Sequence, residues 1–153
     1  MAEEDPFAEM DAMLAEQVRL RALPPMRTVR GVREFYLTHK PKEDDYVGVA
    51  LCVAGIEDQP KLYRYDLVDA IFEGKEAGLK ARMAKMDRAM RNTITLQVTM
   101  WKPRKRPLGG VRCPHRVGEV AVIGKVRKLQ MYHSHLQGQV EAEDWVAEQE
   151  RGL

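Results

Sequence analysis

From Tyr46 to Ala54 the chain runs almost without a polar side chain, through Val47, Val49, Ala50, Leu51, Cys52 and Val53. A short, β-branched run of this kind reads as a strand, and with no polar alternate positions both of its faces must be covered. The fold therefore needs a sheet with material packed on each side. The 153 residues suffice for one core-bearing domain that removes roughly two-thirds of the unfolded surface from water.

Other segments extend the sheet. Thr93 to Trp101 alternates cleanly, with Ile94, Leu96, Val98 and Met100 on one face and Thr95, Gln97 and Thr99 on the other. Met26 to Lys40, with Val29, Phe35, Tyr36 and Leu37 between Thr28 and Thr38, reads as extended and pairs with Tyr46–Ala54 as a hairpin across the Pro41–Asp45 turn. Gly55 to Pro60 is a polar loop, and Lys61 to Tyr65 a short third strand. Glu119 to Leu129 returns as a strand, which Met131 to Gln139 prolongs.

Helical signals flank and interrupt these strands. Asp5 and Pro6 open an acidic amphipathic helix whose apolar stripe is Phe7, Met10, Leu14 and Val18, and Pro24 and Pro25 end it. Asp66, with Asp69 three residues on, caps a long helix carrying Leu67, Val68, Ile71 and Phe72, then Leu79, Met83, Met86 and Met90. Gly74 and Gly78 make this one helix with a soft middle, or two. The expected fold is α+β: a four- or five-stranded antiparallel or mixed sheet, one long central helix, and acidic helical segments at both termini. Its parts are the N-terminal helix at 1–23, a core domain at 26–140 with a basic loop at 102–118, and an acidic tail or short helix at 141–153.

Charge is the second organising feature. Between Lys75 and Lys128 stand fifteen Lys and Arg against Glu76, Asp87 and Glu119, a block of +12 inside a chain of net charge +2. Residues 1–16 carry six acids and no base. Such a field attracts polyanions and repels itself unless a partner or an acidic segment answers it. The densest part is the loop from Lys102 to Arg116, where Lys102, Arg104, Lys105, Arg106, Arg112 and Arg116 meet no acid, and prolines and glycines hold the backbone off the sheet. Trp101 at its root offers a stacking surface. Arg82, Lys85 and Arg88 on the preceding helix supply a second basic wall. Six neutralised phosphates would give a log–log salt slope of about −5 on duplex DNA.

Two further constellations carry chemistry in principle. Cys113 with His115, and His133 with His135, repeat an i, i+2 spacing, and four such ligands can close a tetrahedral zinc site. The spacing departs from that of zinc ribbons, and scattered surface histidines with a packed thiol explain the same residues. The single serine, Ser134, lacks the surroundings of a nucleophile elbow, and the acid pairs Asp44–Asp45 and Glu57–Asp58 sit in turns.

The two cysteines, Cys52 and Cys113, suit a reducing compartment. No apolar run is long enough to span a bilayer, and the acidic start is unlike a secretory leader, so the expected location is cytoplasmic. The function expected is that of a small non-catalytic protein binding nucleic acid or a nucleoprotein complex, without cofactor. A phage- or plasmid-type assembly factor meeting an acidic protein face is the alternative, and a zinc-dependent hydrolase or nuclease the third.

Overall fold

A computed structural model describes residues 24–104 and 112–151, with side chains as far as Glu148. The expected helix at 1–23, and Lys105 and Arg106 of the basic loop, lie outside the described residues.

The first described element overturns the expected hairpin. Val29–His39 is an α-helix, α1. Thr28 keeps an extended backbone and its hydroxyl oxygen accepts the Gly31 N–H at 3.0 Å, capping the first turn. Val29, Val32 and Phe35 then fall on one buried face, and Lys40 closes the helix in the left-handed conformation with its N–H on the Tyr36 carbonyl. Strand propensity lost to this cap and this spacing, as a weak prior does when tertiary burial decides.

Five strands follow: β1 (Tyr46–Asp58), β2 (Leu62–Val68), β3 (Leu96–Trp101), β4 (Val120–Tyr132) and β5 (His135–Val140). They close into a barrel of order β1-β2-β3-β5-β4, in which β3 and β5 are parallel and every other pair is antiparallel. This corrects the expected open sheet. Closure rests on the length of β1: Tyr46–Cys52 pairs with β4 and Cys52–Asp58 with β2, so one strand serves two neighbours. Register shifts at Val47/Val49 and Val53/Gly55 bend it around the axis.

The long central helix is also corrected. Asp66 lies inside β2, and a 3-10 turn at Ala70–Phe72 leads to Gly74, whose positive φ of 73° ends any continuation. Two short helices follow, α2 (Glu76–Met83) and α3 (Arg88–Ile94). Asp87 begins the second afresh, its carboxylate accepting the Met90 N–H at 2.8 Å. Met90 is 54% exposed, so the methionine spacing is not a continuous core stripe.

The barrel interior holds Val49, Leu51, Val53, Tyr65, Leu67, Leu96, Val98, Met100, Ile123 and Leu136. On the outer side of β1 and β2, Cys52, Ala54 and Val68 are covered by Leu79, with Phe72, Met83 and Ile94 around them. Both faces of the Tyr46–Ala54 run are therefore covered, as its composition requires; burying Leu79 alone contributes about 1.5–3 kcal/mol. The predicted strand after Glu119 does not run on through Gln139. His133 and Ser134, at φ 48° and 62°, turn the chain back into β5. The acidic segment after Val140 forms α4 (Ala142–Arg151), which inserts Trp145 into the core.

Candidate functional site

Alternation along β3 sends Met100 inward and Trp101 outward. Leu62, the first residue of β2, is the register partner of Trp101, and the Lys102 N–H donates to the Lys61 carbonyl at 3.0 Å. The β1–β2 turn and the root of the basic loop are thereby held side by side. On the other flank, the parallel β3–β5 pairing sets Gln139 opposite Thr99, and its side-chain oxygen accepts the Trp101 indole N–H at 3.1 Å. An irregularity between Arg127 and Gln130 in β4, with Lys128 at φ 53°, turns Lys128 toward the same place.

The result is a cleft of about 780 Å³ on the outside of the barrel. Trp101, Gln139, Lys61, Lys102, Arg104 and Lys128 line it, with Pro60, Pro103, Glu141 and Ala142 completing the wall. Four cations thus face one acid across a half-exposed indole. Lys61 and Arg104 make no ion pair with another described residue. Lys102 is 2.5 Å from Asp58 and lies over the Tyr63 ring, and Lys128 is 3.8 Å from Glu43. Ion pairs with such exposed carboxylates are worth about 0–1 kcal/mol, a barrier that an incoming phosphate can displace.

The structure brings together three of the residues singled out in the sequence, Trp101, Lys102 and Arg104. Arg112 and Arg116 are exposed on the returning arm of the loop, whose Gly118 bonds to Val53 and Gly74, and they line no part of the cleft. Arg82, Lys85 and Arg88 are exposed on α2, α3 and the turn between them, over the outer side of β1, and likewise stand outside it. Part of the basic block is neutralised from within. Arg127 and Lys125 face Asp144 of α4 at 3.2 and 4.0 Å.

Lys61 and Lys128 were missed by sequence reasoning. Lys61 carries no local signal, since only the pairing of Leu62 with Trp101 makes it a neighbour of the basic loop. Lys128 closes the basic block in sequence, but its direction depends on the β4 irregularity.

The two ligand-like pairs separate. The Tyr65 hydroxyl, inside the barrel, lies 3.1 Å from Cys113 Sγ and 2.9 Å from His115 Nδ1, with the imidazole edge-on to the phenol. Burial pushes the Tyr65 phenol up and, against the weaker pull of Glu119, pushes the His115 imidazole down. His135 Nε2 instead meets the Thr95 hydroxyl at 3.0 Å, and exposed His133 stacks edge-on against Tyr132. Among the described residues, no three His, Cys, Asp or Glu side chains converge as metal ligands. The Cys113–Tyr65–His115 contacts anchor the returning arm of the basic loop in the barrel. Cys52 is fully buried under α2, which raises its thiol, with Glu76 and Glu73 adding to the effect.

No helix among the described residues is long and apolar enough to cross a membrane. No family model, curated protein or solved structure matches the chain.

Proposed function

We propose that the protein is a non-catalytic nucleic-acid-binding accessory protein that grips phosphate backbone in the cleft beside Trp101. The observation that supports this reading is the convergence of Lys61, Lys102, Arg104 and Lys128 on one concave surface around that indole. Cations drawn from three separate segments give a local positive field, and Pro60 and Pro103 fix the backbone φ beside Lys61 and between Lys102 and Arg104. Five-stranded barrels recurrently bind oligonucleotides or oligosaccharides on their outer strands, an analogy of architecture and not of site.

Four phosphate contacts give a log–log salt slope of about −3 to −4 on duplex DNA. Replacing Lys61, Arg104 and Lys128 together by Ala is expected to weaken binding on every sequence alike and to reduce the slope by about 2 to 3. Unchanged affinity and slope in that variant would remove the reading. If salt-sensitive capture of a protein from extract survives nuclease treatment, the cleft meets an acidic protein face instead.

A further inference from the structure

We infer that the ligand of this cleft is a single strand, with one unpaired base seated on Trp101 and its neighbours laid along the outer face of β3 and β5. The inference rests on the phosphate-gripping role proposed above and adds the form of the nucleic acid.

Three features carry it. First, the indole is fixed. Its N–H donates to the Gln139 side-chain oxygen at 3.1 Å, and the backbone carbonyl of Trp101 accepts the indole N–H of Trp145 at 2.8 Å. A ring held at both its edge and its root loses little freedom when a base settles on it, which is what a stacking platform needs. A duplex gains nothing from such a platform, because its bases are already stacked and paired.

Second, the outward side chains of β3 and β5 leading away from Trp101 are neutral and hydrogen-bonding. Gln97 sits opposite Gln137, and Thr99 opposite Gln139, all of them partly buried with some surface left to solvent. Amides and hydroxyls of this kind bond to base edges and sugars. A duplex, by contrast, presents phosphate along its whole contact surface and selects a cationic one. The cations that line the cleft stand at one end of this row, and Arg64 and Asp66 of β2 flank it opposite Thr99 and Gln97.

Third, the cleft volume of about 780 Å³ is in the range of pockets that take one small ligand. It is large enough to admit a nucleotide with its phosphate.

The test uses the full chain with a labelled oligothymidylate of roughly twelve nucleotides, within the site sizes of single-strand binders, and a blunt duplex of equal length. Anisotropy at low salt is expected to show tighter binding of the single strand, with quenching of indole fluorescence. Trp101→Ala is expected to lose roughly 5- to 150-fold in single-strand affinity, the effect of one base–aromatic stack, with duplex affinity and the salt slope unchanged. Trp101→Phe retains a ring and a foldable strand end; it is expected to keep most of the affinity while losing the quenching, since the remaining Trp145 is buried. Equal or tighter duplex binding, or undiminished single-strand affinity in Trp101→Ala, would overturn the inference and leave the cationic reading standing. Binding of neither nucleic acid by the unaltered protein would overturn both.

Discussion

The indole N–H of Trp145 donates to the backbone carbonyl of Trp101 at 2.8 Å. The acidic C-terminal helix is thereby tied to the strand end from which the basic loop departs. That helix spends its charge locally: Asp144 faces Arg127, and the Glu148 carboxylate accepts the Gly124 N–H at 3.0 Å. Asp144 thus answers Arg127 and Lys125 of β4, and Lys61 and Arg104 in the cleft form no ion pair with a described carboxylate.

Trp145, 2% exposed, fills the end of the barrel. Trp145→Ala is expected to cost about 3–5 kcal/mol, and Trp145→Phe less, because the phenyl ring keeps part of the packing and forfeits the bond to Trp101. Urea unfolding of both variants measures this. A loss under 1 kcal/mol in the alanine variant would show that α4 does not contribute to the core.

Gly138 faces the barrel interior, where an added Cβ would stand 2.5 Å from Val126 Cγ1 and 3.2 Å from Leu129 Cδ2. Gly138→Ala is expected to destabilise by about 1–3 kcal/mol through overpacking. Combining it with Val126→Ala, which removes the obstructing methyl, should cost less than the two single changes added. Strict additivity in the double-mutant cycle would contradict the contact.

Arg33 of α1 donates to the Ser134 carbonyl at 2.6 Å and the Asn92 carbonyl at 3.4 Å, while the Asn92 amide donates to the His133 carbonyl at 3.2 Å. These bonds hold the left-handed β4–β5 turn against two helices. Arg33→Ala is expected to lose about 1–3 kcal/mol, since charged donors leave and the turn's carbonyls lose their partners. Faster amide exchange at residues 132–136 is the local signature, and unaltered exchange there would refute the assignment.

Stability is expected to fall at both ends of the pH scale. Burial lowers the imidazoles of His115, opposed by Glu119, and of His135, opposed by Asp66. Below a pH of about 6.5 the unfolded chain therefore binds protons that the folded chain refuses, and stability drops as pH falls toward the lowered folded values. The slope reaches at most roughly 1.4 kcal/mol per pH unit for each histidine. The Tyr65 phenol is raised by burial and its contact with Cys113. Above a pH of about 10 the unfolded chain loses a proton that the folded chain keeps, so stability falls again as pH rises. Urea midpoints across this range, with His115→Gln and His135→Gln for the acid limb and Tyr65→Phe for the alkaline one, test the assignment. An acid limb equally steep in the double histidine variant would sink it.

The legible parts of this fold are those whose pattern is local. The alternation of Leu96, Val98 and Met100 announced β3, the continuous apolar run announced a strand covered on both sides, and Glu141 onward read as an acidic tail or short helix, of which the structure has the helix. Val29, Val32 and Phe35 carried a helical spacing that their strand propensity obscured until Thr28 capped the first turn. The single long helix failed because Asp66, Leu67 and Val68 belong to β2, whose inward Tyr63, Tyr65 and Leu67 alternate at a strand's period of two.

The candidate site divides along the same line. Trp101 and the loop cations were visible because they are consecutive in the chain, and a strand's alternation settles which way its last residue points. Lys61, Gln139 and Lys128 join them through the β2–β3 register, the parallel β3–β5 pairing and an irregularity in β4, none of which leaves a mark on neighbouring residues. Local pattern thus specified the strands through Tyr46–Ala54 and Leu96–Trp101 and where positive charge accumulates along the chain. Barrel closure specified which of those charges face one another, because it depends on long-range strand pairing and on the bending of β1, energies summed over residues far apart in sequence.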